Sequence, residues 1–188
     1  MDKNLTQLPD DLPAPEDDGA AAHLPGVPLP DIALPATSGG SVELASVTAR
    51  TVIYAYPRTG VPEDPVFFEG WEQIPGARGC TPESCAFRDH HGELQAAGAG
   101  VFGLSTQDTG FQRAAVKRLH LPFAILSDDR LELTRALKLP TFEVNGLTLM
   151  KRLTLVVRAG KIEHVFYPVF PPDRHAQQVL DWLKANPV

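Results

Sequence analysis

The chain contains 188 residues, of which 43% are hydrophobic, and its formal net charge is −6. This length supports one hydrophobic core and is short for two domains. No apolar stretch reaches the ~18 residues that predict a membrane span, so we expect no membrane partner. Beyond the N-terminal segment, acids and bases nearly balance and form no basic block, which argues against nucleic acid as a partner.

The first 23 residues differ in composition from the rest. They carry six acids and one base, with prolines at positions 9, 13 and 15 and alanines at 20–22. Such a segment buries little apolar surface, so we expect a disordered acidic extension over residues 1–23 and one domain over residues 24–188. The start of the chain lacks the regions of a secretory signal, and two cysteines in that context favour a reducing, cytoplasmic location.

From Leu24 onward, apolar runs of strand length alternate with amphipathic segments. Gly39–Gly40 predicts a hairpin between residues 29–34 and 41–44, and Ala159–Gly160 predicts another between residues 152–157 and 161–166. This order predicts an α/β fold with a central mixed sheet, helices on both faces and an N-terminal hairpin. The other predicted elements are strand 51–56, helix 82–97, strand 100–105, helix 108–119, strand 123–126, a helix capped by Ser127 or Asp128 that ends near residue 137, and helix 172–184.

A long segment over residues 58–78 separates the strand that ends at Pro57 from Cys80. It is rich in glycine and proline and contains three large aromatic residues, Phe67, Phe68 and Trp71. Loops of this length are uncommon in compact domains and are often functional. The aromatic residues either pack the loop onto the body, which we favour, or contact a substrate.

The two cysteines are five residues apart, at Cys80 and Cys85. Cys80 follows Gly79 and precedes Thr81–Pro82, so we expect it where a helix starts. Unpaired backbone N–H groups and the positive end of the helix dipole favour a thiolate there. Because the thiolate is the reactive form of cysteine, Cys80 is the leading candidate for a nucleophile.

The five-residue spacing separates two Cα atoms by roughly 8.6 Å on an ideal helix. A disulfide requires about 4.4–6.8 Å. Cys80 and Cys85 therefore pair only if the helix unwinds locally. The alternatives are a pair of small buried hydrophobes, a zinc site, which the spacing disfavours, and a permanent disulfide, which the geometry disfavours.

The segment Gly79-Cys80-Thr81-Pro82-Glu83-Ser84-Cys85-Ala86-Phe87-Arg88-Asp89 resembles the active-site motif of peroxiredoxins of the bacterioferritin comigratory protein (Q-type) group. The similarity covers roughly residues 26–186 and includes Tyr56-Pro57, Gly103-Leu104-Ser105-Thr106, Leu121-Pro122-Phe123 and Lys151-Arg152-Leu153-Thr154. The resemblance implies a thioredoxin-like fold and a monomeric thiol peroxidase that uses no metal or organic cofactor.

The same resemblance implies a role for each matched residue. Cys80 would attack the peroxide and become a sulfenic acid, Cys85 would resolve it as an intramolecular disulfide, and thioredoxin or a similar dithiol protein would reduce that disulfide. Arg152 would hold the thiolate and orient the peroxide. The substrates would be hydrogen peroxide and organic hydroperoxides.

The sequence departs from the group's pattern before the cysteine. The proline and threonine that usually stand seven and three residues ahead of the nucleophile are replaced by Gln73 and Ala77. We infer that residues 58–78 contain an insertion, that Pro57 still shields the thiolate, and that Thr59 offers its hydroxyl to the peroxide, with Thr81 as the alternative.

Two other classes of function compete with the enzyme. A redox sensor would signal through the unwinding segment without turning over peroxide, and a redox-inert binding module would have unreactive cysteines. His90 and His91 lie too far along the predicted helix to act as bases for Cys80, so we expect them to be surface or packing residues.

Overall fold

The computed structural model describes residues 8–60 and 70–188. The helices are α1 (Cys80–Asp89), α2 (His91–Ala96), α3 (Thr109–Leu119), α4 (Glu132–Leu137) and α5 (His175–Ala185). The strands are β1 (Ala33–Pro35), β2 (Ser41–Glu43), β3 (Thr51–Ala55), β4 (Gly100–Ser105), β5 (Ile125–Ser127), β6 (Thr141–Val144), β7 (Leu147–Met150), β8 (Leu153–Arg158) and β9 (Lys161–Phe166). No helix among the described residues is long and apolar enough to cross a bilayer.

The central sheet has five strands in the order β5-β4-β3-β8-β9. Strand β3 pairs in parallel with β4, as β4 does with β5, whereas β3 pairs with β8 and β8 with β9 in antiparallel register. The predicted mixed sheet with helices on both faces is confirmed, and the fold is thioredoxin-like. Because β3 is central and wholly buried, the chain that leaves its carboxyl end starts deep inside the molecule.

Successive residues of β3 point into two different cores, as the period of a strand requires. Ile53 and Ala55 belong to a core shared with the N-terminal hairpin and α4. Val52 and Tyr54 belong to the core on the other face, against α1, α2 and α5. Both cysteines pack into this second core, so α1 rests directly on the central strand.

The two predicted hairpins are present, as β1–β2 and β8–β9. The predicted helix over residues 82–97 is instead two helices, because α1 ends at Asp89 and the chain restarts as α2 after His90, whose φ of −92° and ψ of 3° leave the helical region. A third hairpin, β6–β7, was not predicted. Its turn is Asn145–Gly146, with positive φ at both residues, and Asn-Gly is the strongest short hairpin signal in a sequence.

The N-terminal segment differs from the disordered extension that its composition predicts. Residues 8–23 lie against the domain: Ala21 is buried in the first core, and the carboxylate of Asp18 accepts hydrogen bonds from Lys151 and Tyr167. A few specific contacts thus order a segment that its polar composition, taken alone, predicts to be disordered. Residues 1–7 lie outside the described residues, and there the expectation of disorder stays a prediction.

The long segment before Cys80 is described from Gly70 onward. Trp71 begins a short 3-10 helix over Trp71–Gln73, is buried, and packs near Phe142 with ring centroids 6.2 Å apart. For Trp71 the packing interpretation therefore agrees with the structure. Phe67 and Phe68 lie outside the described residues, so the substrate-contact alternative for them stays open.

Candidate active site

Cys80 is the first residue of α1, with Gly79 as its N-cap at a φ of +111°. This backbone conformation suits glycine, and a Cβ at Gly79 would also stand 2.3 Å from Cγ of Pro172. The glycine therefore lets the chain turn sharply into α1 beneath Pro172. The turn places the Cys80 sulfur at a helix N-terminus in a buried position, 4% exposed.

The guanidinium of Arg152 lies beside the sulfur. Its Nη2 is 3.2 Å from Sγ of Cys80 and donates to the carbonyl oxygens of Ala77 and Arg78, each at 3.3 Å. Sγ of Cys80 in turn lies 3.6 Å from the Ala77 carbonyl oxygen. Arg152 is fully charged at any physiological pH, so this arrangement puts a fixed cation against the thiol in a site screened from water.

Glu83 completes the buried ion pair with Arg152, and the sequence analysis assigned it no role. Its side chain is fully buried, and one carboxylate oxygen accepts a hydrogen bond from Nη1 of Arg152. Burial raises the pKa of Glu83 to about 7 against the opposing charge of Arg152. Glu83 follows Cys80 by three residues on α1, so helical spacing could have placed both on the face that meets Arg152.

Cys85 lies one and a half turns further along α1 and is partly exposed. Both cysteines are free thiols in this conformation. Burial raises the pKa of the Cys85 thiol, with the charge of Arg88 opposing the shift. While α1 is folded, Cys85 is therefore protonated and held away from Cys80.

Tyr54 of β3 fastens the middle of α1 to the sheet. Its hydroxyl donates to Oγ of Ser84 at 3.1 Å, and its ring stacks on Phe87 with centroids 4.4 Å apart. Ser84 precedes Cys85 directly and Phe87 follows it by two residues. Any unwinding that moves Cys85 toward Cys80 must therefore break contacts with Tyr54.

Pro57 and Thr59 are buried where the chain leaves β3. Thr59 is held by a side chain that we did not predict, that of Gln107. Its backbone N–H and its hydroxyl both donate to Oε1 of Gln107, at 3.0 and 3.2 Å, and its carbonyl accepts from Nε2 at 3.1 Å. The alternative residue, Thr81, is buried in the first turn of α1.

The two histidines that follow α1 lie outside this arrangement. His90 contacts the carboxylate of Glu93 at 2.5 Å, and the ring of His91 packs near Phe123. Among the described residues, no group of three or more His, Cys, Asp or Glu side chains is placed to hold a metal ion. The structure brings together Cys80, Arg152 and Glu83 at the centre of the site.

A model of the Redoxin family matches residues 24–180. Peroxiredoxin Q of Gentiana triflora is 28% identical over 190 residues, covering 97% of this chain and 79% of that protein, and peroxiredoxin Q of Triticum aestivum is 29% identical over 153 residues, covering 80% and 62%. Peroxidoxin BcpB of Mycobacterium tuberculosis has a similar structure, with a TM-score of 0.71 at 24% identity, covering 88% of this chain and all of that one.

A free cysteine at a helix start, paired with a buried arginine on a thioredoxin-like fold, defines a thiol-based redox protein. The chain belongs to the Redoxin family, and within it to the peroxiredoxins of the Q, or bacterioferritin comigratory, type. The resemblance identified from the motif around Cys80 is thereby confirmed. Membership supports a thiol-dependent peroxidase activity.

Proposed function

We propose that this protein reduces hydrogen peroxide and organic hydroperoxides with Cys80 as the peroxidatic cysteine and Cys85 as the resolving cysteine. The single observation that carries the assignment is the position of Arg152, whose Nη2 lies 3.2 Å from Sγ of Cys80 in a buried site. A fixed positive charge at that distance stabilises negative charge on the sulfur. The helix N-terminus acts in the same direction.

In the first step, the Cys80 thiolate attacks the terminal oxygen of the peroxide. The S–O bond forms as the O–O bond breaks, and the departing alkoxide or hydroxide takes a proton to leave as alcohol or water. Cys80 becomes a sulfenic acid. Arg152 stabilises the negative charge as it moves from sulfur to the leaving oxygen.

In the second step, Cys85 attacks the sulfenic sulfur, the S–S bond forms and water leaves. Both cysteines lie within α1, so this step requires α1 to unwind. Unwinding also moves Cys85 into water and relieves the burial that raises its pKa, which makes its thiolate accessible. The same motion thus delivers Cys85 and activates it.

In the third step, a dithiol protein such as thioredoxin reduces the disulfide and is itself oxidised to a disulfide.

Pro57 shields the thiolate, and Thr59 contacts the peroxide. The hydroxyl hydrogen of Thr59 is directed to Gln107, so its oxygen keeps lone pairs that accept a hydrogen bond from the peroxide O–H. We propose a cytoplasmic monomer that needs neither a metal nor an organic cofactor.

The test is the intact mass of the reduced protein after one equivalent of hydrogen peroxide, compared among wild type, Cys85→Ser and Cys80→Ser. We expect wild type to lose two hydrogens quickly, Cys85→Ser to gain one oxygen on Cys80, and Cys80→Ser to stay unchanged. Peroxide turnover retained in Cys80→Ser would overturn the proposal. Wild type that survives unchanged for minutes would favour the sensor or the binding module instead.

A further inference from the structure

The N-terminal segment of residues 8–18, called the strap below, is tied down at one end by Asp18. The Asp18 carboxylate accepts hydrogen bonds from Nζ of Lys151 at 2.6 Å, from the hydroxyl of Tyr167 at 2.8 Å and from the backbone N–H of Ala20 at 3.1 Å. The first two of these partners hold the pKa of Asp18 well below its usual range. Lys151 is the neighbour of Arg152, so the tie is made at the edge of the candidate site.

From Asp18 back to Leu8, the strap follows the loop of residues 70–79. A Cβ at Gly76 would stand 3.5 Å from Cβ and Cγ of Pro15, and a Cβ at Gly79 would stand 3.1 Å from Cδ2 of Leu8. Residues 14–16 of the strap and 74–76 of the loop also line a cavity of about 380 Å³ that Arg152 and Tyr167 share. The strap therefore covers the loop up to the residue before Cys80.

The covered loop is the part of the site that a change in α1 would have to move. It supplies the Ala77 and Arg78 carbonyls that accept from Arg152, and it enters α1 through Gly79. Contacts that hold these residues in place stabilise the folded conformation of the site. An unwinding that moves the start of α1 out of this position would lose these contacts.

We propose that Asp18 is a positioning residue that latches the strap over residues 70–79 and thereby slows the unwinding of α1. This inference rests on the proposed roles of Cys80 and Cys85. The rate of unwinding of α1 sets how long the Cys80 sulfenic acid survives before Cys85 condenses with it and releases water. A second peroxide molecule competes for the same intermediate, giving the sulfinic acid and an alcohol or water, so a tight strap favours overoxidation.

The experiment compares full-length Asp18→Ala with Asp17→Ala, a matched control. Asp17 is the exposed neighbour, and the hydrogen bond shown for its carboxylate is local, from the N–H of Gly19. Reduced protein is mixed with one equivalent of hydrogen peroxide, quenched with acid at successive times, and resolved by mass into thiol, sulfenic and disulfide forms. A second set at excess peroxide measures the sulfinic acid. Leu8→Ser tests the other end of the strap.

In Asp18→Ala we expect thiol loss at the wild-type rate, disulfide formation about two- to five-fold faster, which is the range that an exposed ion pair supports, and less sulfinic acid. Leu8→Ser should shift the same two quantities in the same direction, and Asp17→Ala neither. Disulfide formation in Asp18→Ala that matches Asp17→Ala would overturn the inference while leaving the proposed peroxidase intact. Failure of Cys85→Ser to gain an oxygen on Cys80 under the same conditions would instead overturn the proposed function.

Discussion

Arg152 joins Glu83 to Cys80 through the two ends of one guanidinium: Nη1 donates to the buried carboxylate, and Nη2 lies 3.2 Å from the sulfur. The carboxylate fixes the plane of the guanidinium, and the plane determines where the positive charge meets the sulfur. Sixty-nine residues separate Arg152 from Glu83 and seventy-two separate it from Cys80, so only the folded chain creates this relationship.

Arg152→Lys keeps a positive charge and removes the fork that reaches both partners. A lysine cannot donate to Glu83 and to Cys80 in the same geometry. We expect the second-order rate constant of the Cys80 thiol with hydrogen peroxide to fall by about 10²-fold. The measurement is the rate of thiol loss under pseudo-first-order peroxide.

Arg158→Lys is the matched control, because Arg158 is exposed at the far end of β8. It should react at the wild-type rate. Equal rates for Arg152→Lys and wild type would show that charge alone, without the fork, activates the sulfur.

Glu83 predicts a dependence of stability on pH. Burial raises its pKa to about 7 in the folded protein, whereas an unfolded glutamate titrates near ~4.3. Between these values the folded state binds more protons than the unfolded state, so the contribution of Glu83 to stability is largest at low pH and declines as pH rises through 7. We expect a loss on the order of 1–3 kcal/mol between pH 5 and pH 8.

The measurement is urea unfolding of wild type and Glu83→Gln at both pH values. Other titrating groups are common to the two proteins, so the difference between their free energies of unfolding isolates Glu83. Wild type should lose stability relative to Glu83→Gln as pH rises. Parallel profiles would mean that Arg152 keeps Glu83 ionised throughout this range.

Gly79→Ala tests the turn into α1. An alanine would need a φ of +111° and would place its Cβ 2.3 Å from Cγ of Pro172. We expect a cost of about 2–4 kcal/mol in the free energy of unfolding, from backbone strain and the clash together. Thermal or urea unfolding measures it.

Gly98→Ala separates these two causes. Gly98 also has a positive φ, of +81°, but no neighbouring atom lies within 4 Å of a Cβ there. Strain alone should cost about 1–2 kcal/mol. A similar cost at both glycines would show that Pro172 moves aside without penalty.

The hydroxyl of Thr59 can be compared with that of Thr81 by valine substitution. Thr59→Val removes the oxygen that Gln107 orients, and we expect kcat/KM for hydrogen peroxide to fall by about tenfold, the effect of one charge-assisted or oriented hydrogen bond. Thr81→Val should change it less than about twofold. The reverse order would assign the peroxide-binding hydroxyl to Thr81, and steady-state kinetics with a thiol reductant decides between them.

Local patterns predicted the elements better than the contacts between them. The buried strand before Pro57 and the hairpin at Ala159–Gly160 follow from alternation and turn residues, and the structure contains both. The hairpin at Asn145–Gly146 carries an equally plain turn signal, although the sequence analysis did not predict it. Helical spacing predicts that Glu83 lies on the same face of α1 as Cys80, because the two are three residues apart.

The long-range contacts could not be found this way. Arg152 was assigned from the resemblance, because no local pattern links residues 72 positions apart. Composition predicts a disordered extension that includes Asp18, because it averages over a segment, whereas the order of Asp18 depends on Lys151 and Tyr167, which lie 133 and 149 residues away. The hydrogen bond between Thr59 and Gln107 likewise has no local pattern that predicts it, because 48 positions separate the two residues.

The interruption at His90 limits how far a disturbance in α1 can spread. In one continuous helix, loosening the turns around Cys85 would weaken hydrogen bonds that run on toward Ala97, including those that seat Leu94 in the core. Because the helix ends at Asp89 and begins again at His91, α1 can open as a small cooperative unit while α2 stays in place. In the proposed mechanism, the unwinding that brings Cys85 to Cys80 is then confined to α1, which has 10 residues, and the rest of the domain keeps its packing.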